Sequence, residues 1–163
     1  MDLSRYIGIP FEQANCYELF QILYLDQFNI ELPPQPYHSA SREESRRNAG
    51  LVQAEAVKWV GVSAGRERFG DAVLLYIGGM PCHIGFVIGG GRMIHAQEKT
   101  FSTIASYRHD LEWRDRTKSF YRHPRLAVAD GQRQPESVPH GTGGDAADRG
   151  ADGGGNPARG AAG

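Results

Sequence analysis

The chain has 163 residues, a formal net charge of −1 and a hydrophobic fraction of 40%. That length suffices for one domain with a real core, and the near-neutral balance argues against a protein that neutralises many phosphates, so nucleic acid is not an expected partner. Two cysteines, Cys16 and Cys82, are too few for a disulfide scaffold and lack zinc-site spacing. No run approaches the roughly 18 apolar residues that span a bilayer. The opening MDLSRYIGIPFEQ has no basic start followed by a long apolar stretch. The expectation is a polypeptide synthesised in the cytoplasm without a signal peptide and without membrane insertion.

The first thirty residues read as a short amphipathic start, a turn at Gly8-Ile9-Pro10, and a helix from about Ala14 to Asn29. Leu19, Phe20, Ile22, Leu23, Tyr24 and Phe28 give that helix a broad apolar side. Asn15 suits the N-cap, which places Cys16 at the first helical position. Free backbone N–H groups and the positive end of the macrodipole there favour a thiolate. The Pro-rich segment Leu32 to Ser41 is a connection. Arg42 to about Val57 reads as a polar helix with Leu51, Val52, Ala54 and Val57 on its inner side.

From Phe69 to Gln97 the chain reads as short strands joined by glycine turns. Val73 to Ile77 is an apolar β-prone run closed by Gly78-Gly79, His83 to Ile88 is a second, and Met93 to Gln97 a third. Gly89-Gly90-Gly91 suits a three-residue hairpin loop with glycine at a positive-φ position. In that register Ile88 pairs with Arg92, Gly85 opposes His95 and His83 opposes Gln97. Side chains alternate along a strand and cross-strand partners share a face. His83, Gly85, His95 and Gln97 then project from one surface, and Cys82, Ile84, Phe86, Ile94 and Ala96 from the other.

Phe101 to Tyr107 reads as a further strand, Leu111 to Arg116 as a loop or short helix, and Ser119 to Arg122 as the last strand. Helices followed by an antiparallel sheet make an α+β arrangement. Composition changes near residue 127. From Ala127 to Gly163 the chain is mostly Gly, Ala, Asp, Arg, Pro and Gln, which cannot bury enough apolar surface to order itself. The expected organisation is a folded domain over 1–126 and a disordered tail over 127–163.

A cysteine at a helix start, with two histidines on one sheet face, is a layout suited to nucleophilic catalysis. The thiolate attacks a carbonyl, one imidazole moves the proton, and a third polar group orients that imidazole. Each residue also has a plainer reading. Cys16 alone could be a small core residue, and His83 and His95 could be satisfied sheet histidines. Cys82, on the opposite strand face from His83, reads as core packing. His38, His109, His123 and His140 lie in loops or the tail and take no role. Asp71 reads as a turn residue at a strand start, and Gln97 as a second candidate for orienting His83.

These residues also carry a resemblance. Tyr6-Ile-Gly-Ile-Pro-Phe11, leading to Asn15-Cys16-Tyr17-Glu18-Leu19, resembles the opening of the NlpC family of papain-like cysteine peptidases, where a Gly-x-Pro-aromatic turn precedes an Asp-Cys motif. Gly70-Asp71-Ala72-Val73-Leu74 resembles the family's Gly-Asp-hydrophobic strand. His83-Ile84-Gly85-Phe86-Val87-Ile88 resembles its His-Val-Gly strand, and Met93-Ile94-His95-Ala96 its second histidine strand. Phe120-Tyr121-Arg122 is similar to the ending of phage tail members. The chain departs from the pattern at Asn15, in place of aspartate, and at Glu18, where a small residue is common. Phe11 stands nearest the family's tyrosine by the oxyanion, leaving Tyr6 and Tyr17 as substitutes.

The resemblance implies an α+β papain-like fold in which a helix presents the nucleophile to a small antiparallel sheet. It implies Cys16 as nucleophile, His83 as general base and acid, and His95 as the group orienting His83. It implies peptidoglycan stem peptides as substrate, no metal or organic cofactor, and a setting among other phage tail proteins. The competing expectations are a structural tail component with little activity and a related thiol amidase or acyltransferase.

Overall fold

A computed structural model describes residues 2–34, 55, 58–77 and 80–131. Apart from Glu55, the expected helix over 42–57 lies outside the described residues, as do the Gly78-Gly79 turn, most of the Pro-rich connection and the chain after residue 131. After one turn of 3-10 helix at Ser4–Tyr6 comes helix α1 (Cys16–Phe28). It ends at Asn29, whose left-handed conformation (φ 52°, ψ 44°) lets its N–H cap Leu25 and Tyr24 carbonyls. Cys16, Tyr17, Leu19, Phe20, Leu23 and Tyr24 are buried along one broad stripe. Ile22, expected on that apolar side, is 40% exposed. It falls a residue beyond the stripe that the 3.6-residue period keeps on the sheet.

The remaining elements are β1 (Val60–Val62), β2 (Ala72–Ile77), β3 (Met80–Gly89), β4 (Arg92–Ala96), β5 (Ser102–Ser106), α2 (Leu111–Arg114), β6 (Thr117–Arg122) and α3 (Pro124–Gly131). The strands form one antiparallel sheet in the order β1-β6-β2-β3-β4-β5. The architecture is α+β, as expected. Two elements differ from the sequence reading. β1 has three residues and is defined by its pairing with β6, leaving almost no periodicity to read. Helix α3 carries regular structure to Gly131, five residues into the stretch whose composition reads as a tail.

The β3–β4 hairpin closes differently from the expected three-residue loop. Gly89 pairs with Arg92 around Gly90-Gly91, and all three glycines have positive φ (89°, 62° and 71°). Two consecutive left-handed residues fit the two-residue turns that match strand twist. A register shift between Val87 and Gly89 then restores Phe86↔Ile94 and Val87↔Met93. The pairing Ile88↔Arg92 is therefore replaced, while the expected register and the division of faces survive beyond the bulge.

Those faces pack different cores. Helix α1 lies on β3 and β4. There Phe86, Ile94 and Ala96 join Leu19, Phe20, Leu23 and Tyr24 in one buried cluster. Phe20, Tyr24, Phe28, Trp59, Phe69 and Phe86 form a continuous set of ring contacts with centroids 4.7–6.2 Å apart. Such pairs contribute about 0.5–1.5 kcal/mol each beyond their buried area. On the other face Val73, Leu75, Val87, Met93 and Phe120 pack with Tyr107 and Trp113. Gly85 belongs to this second face. A Cβ there would approach Met93 Sδ to 2.6 Å and Val73 Cγ1 to 3.0 Å.

Candidate active site

The head of α1 is built as its sequence predicts. Asn15 Oδ1 accepts the N–H groups of Tyr17 (2.9 Å) and Glu18 (3.1 Å), and Glu18 Oε2 accepts the N–H of Asn15 (2.9 Å). This reciprocal cap accounts for both departures from the family pattern at this motif: Asn15 caps as aspartate would, and Glu18 completes the box. Cys16 follows as the first helical residue and is buried, 3% exposed. The preceding Gly-x-Pro segment is tied to the far edge of the sheet. Gly8 N–H donates to Ser102 O, Ser102 N–H to Ile9 O, and Phe11 N–H to Thr100 O at 2.8–3.1 Å. The loop thus anchors the start of α1 on β5, and α1 runs on over the strands that carry the histidines.

His83 on β3 and His95 on β4 meet. Their rings stand nearly perpendicular (85°), and His83 Nε2 lies 3.0 Å from His95 Nδ1. Both are buried, at 5% and 1% exposure. Burial pushes His83 down to about 3, with the charges of His95 and Arg116 acting in the same direction. Burial alone pushes His95 down to about 4. Both imidazoles are therefore neutral near pH 7, and their 3.0 Å contact is one hydrogen bond sharing one proton. Among the described residues no three His, Cys, Asp or Glu side chains gather as a metal site.

Other residues named from the sequence lie elsewhere. Gln97 falls just beyond β4, where its amide donates to Glu112 at 3.4 Å, and the partner that His83 finds is His95. The Tyr6 hydroxyl binds Asp26 (3.0 Å) and accepts from Gln27 (2.9 Å), at the opposite end of α1 from Cys16. The Tyr17 hydroxyl donates to the Pro33 carbonyl at 2.9 Å. Neither hydroxyl takes the place left by Phe11. His123 packs edge-on against Trp59 and tilted against Tyr24 on the α1 face. Cys82 lies among residues whose side chains are outside the described set.

Asp71 proves structural and more deeply placed than a turn residue. It is fully buried and receives Arg122 Nε (2.7 Å) and Nη2 (2.8 Å) as well as the Arg68 N–H (2.9 Å). The Gly-Asp motif and the terminal Tyr-Arg motif therefore meet as a two-pronged ion pair between β2 and β6. Trp113 went unmarked in the sequence. It is buried on α2, 5.6 Å from His83 in a near-parallel stack (21°) and 4.6 Å from His95 at 69°. An aromatic in a short loop helix carries no local signal for such a contact.

No curated protein sequence matches the chain. Among solved structures, similarity extends to an NlpC/P60 family protein from Bacillus cereus (17% identity, TM-score 0.54), covering 72% of this chain and 36% of that protein. It extends also to the NlpC/p60 domain of the peptidoglycan hydrolase SagA (17% identity, TM-score 0.50), covering 72% of this chain and 90% of that domain. At such identity these neighbours speak to the fold. The sequence pattern of the NlpC/P60 family matches residues 5–122, from the turn before α1 to the Arg122 that pairs with Asp71. The chain belongs to the NlpC/P60 family.

Proposed function

We propose that this chain is a cysteine endopeptidase that hydrolyses peptidoglycan stem-peptide bonds through Cys16, His83 and His95. The observation that carries the reading is the buried contact between His83 Nε2 and His95 Nδ1. With Nε2 engaged by His95, Nδ1 is the His83 nitrogen left for the thiol proton. Cys16 Sγ attacks the scissile carbonyl carbon as His83 Nδ1 takes the thiol proton. The tetrahedral intermediate collapses with transfer of that proton to the departing amine, leaving a thioester on Cys16. Water then gives its proton to His83 and attacks the thioester, which releases the acid and restores the thiol. His95 accepts the His83 Nε2–H throughout and holds the ring in the required tautomer.

Family membership and the presence of all three residue types support this activity, and the neighbouring SagA domain belongs to a peptidoglycan hydrolase. Association with a phage tail belongs to the same proposal, and it rests on the likeness of Phe120-Tyr121-Arg122 to tail members.

Purified peptidoglycan digested with the protein, followed by mass measurement of the released fragments, tests the reaction. Stem peptides cut next to a D-amino acid or at a γ-D-glutamyl link are expected. Cys16→Ala is expected to abolish release with an unchanged circular dichroism spectrum. Undiminished release by Cys16→Ala would sink the mechanism.

A further inference from the structure

The proton shared by the two imidazoles must sit on one side, and the side decides whether His83 can act as a base. If His83 Nε2 carries it, His83 Nδ1 is bare and ready for the thiol proton. His95, accepting at Nδ1, must then carry its own proton at Nε2. In the reverse arrangement His95 donates from Nδ1, and neutral His83 holds its proton on Nδ1, where a base is needed. The deciding atom is His95 Nε2. It is buried, and among the described residues nothing hydrogen-bonds to it.

What flanks the pair is aromatic. Trp113 is 4% exposed and its indole contacts both rings, stacked on His83 and steeply inclined to His95. An N–H beside the electron-rich face of a ring is attracted to it, whereas a bare nitrogen lone pair is repelled. A stacked indole also favours a positive charge on its neighbour, and indole does so more strongly than a phenyl ring. Arg116, 5.5 Å from the same indole centroid, opposes a charge on His83, and Glu112 at 3.3 Å partly balances that guanidinium.

We propose that Trp113 is a positioning residue for the histidine pair. In this proposal the indole turns its face to His95 Nε2 and favours the proton there over the reverse arrangement, and it supports the charge that His83 gains on taking the Cys16 proton. The proposal rests on the reading of Cys16, His83 and His95 given above.

The chain has two tryptophans, Trp59 and Trp113, so a Trp59→Phe background leaves Trp113 as the single site for labelling. Tryptophan analogues carrying progressively more ring fluorines keep the shape of the indole while draining its π density. Across that series kcat is expected to fall stepwise, by about threefold to thirtyfold in all, with KM unchanged. Trp113→Phe is expected to retain more activity than Trp113→Leu. Nitrogen NMR of the imidazoles, which needs no turnover, is expected to place the His95 proton on Nε2 in the unsubstituted protein. Fluorination should move that population toward Nδ1. A flat kcat with an unmoved tautomer overturns the proposal, and so does a wild-type His95 protonated at Nδ1. A protein that cuts no peptidoglycan defeats the proposed function instead, and the NMR measurement still decides the part played by Trp113.

Discussion

The two faces of the sheet bury similar kinds of rings to different ends. On the α1 face the aromatic set around Phe20, Tyr24 and Phe86 has its one deeply buried hydroxyl, that of Tyr24, satisfied by the Gly70 carbonyl. On the other face, residues of the same strands enclose two imidazoles that burial keeps neutral, and one nitrogen of His95 finds no described hydrogen-bond partner. The first arrangement satisfies the Tyr24 hydroxyl and stabilises the fold. The second tolerates a buried polar group that stability alone would remove. Substitutions within this aromatic set should therefore move stability and leave chemistry, while substitutions at the histidine pair should do the reverse.

The sharpest way to break that comparison is to exchange the histidines. His83→Gln is expected to lower peptidoglycan cleavage by about 10⁴-fold or more, because an amide cannot take the proton that the proposed mechanism moves from Cys16. His95→Asn or His95→Gln keeps a hydrogen-bond acceptor for His83 and is expected to retain measurable turnover, down by about 10–10³-fold. Rates from fragment release decide the order. If His95→Ala is silent while Gln97→Ala is inactive, the orienting role belongs to Gln97.

The α1 face is tested at Gly70. Its φ is +90°, and a Cβ would run into the Phe28 ring. Gly70→Ala is expected to cost about 2–4 kcal/mol, combining backbone strain with overpacking. At a temperature where the variant is folded, its kcat should match the parent. A chemical denaturation curve and one rate measurement suffice, and a stable variant with lost turnover would merge the two faces into one functional unit.

Acid separates the faces in another way. Unfolded imidazoles take up protons near pH 6.5, whereas the folded pair stays neutral down to about 4 for His95 and about 3 for His83. Below pH 6.5 the unfolded state binds more protons, so stability is full above that value and declines as the pH falls toward 4. The slope is at most about 1.4 kcal/mol per pH unit for each histidine. Melting temperatures of the parent and of a His83→Gln, His95→Gln double variant from pH 4 to 8 check this. The double variant should show a shallower decline, with His123, also depressed by burial, supplying part of what remains.

The smallest effect is expected at the cap. Asn15→Ala removes the acceptor of two first-turn N–H groups and should cost about 1 kcal/mol. Asn15→Asp restores the family's usual residue and should stay within about 0.5 kcal/mol of the parent, since aspartate caps comparably and suits the helix N-terminus. Thermal unfolding of the three proteins is the measurement.

What the sequence by itself determined about this protein was local. Asn15 and Glu18 stand three residues apart, so their cap and the helical start at Cys16 are written in adjacent letters. The period of two and the glycine turn sufficed to put His83 and His95 on one face, even though the hairpin closes one residue away from the expected pair. Four ordered motifs sufficed for the family. Tertiary structure alone decided the rest, because the interactions join segments with no pattern in common. Asp71 meets Arg122 across 51 positions. The hydroxyls of Tyr6 and Tyr17 are drawn to Asp26 and the Pro33 carbonyl by the way α1 folds back on its flanks. Strand β1 exists through β6. Trp113, on a four-residue helix, reaches the histidines because chain packing sets ring against ring, and no spacing rule encodes that contact.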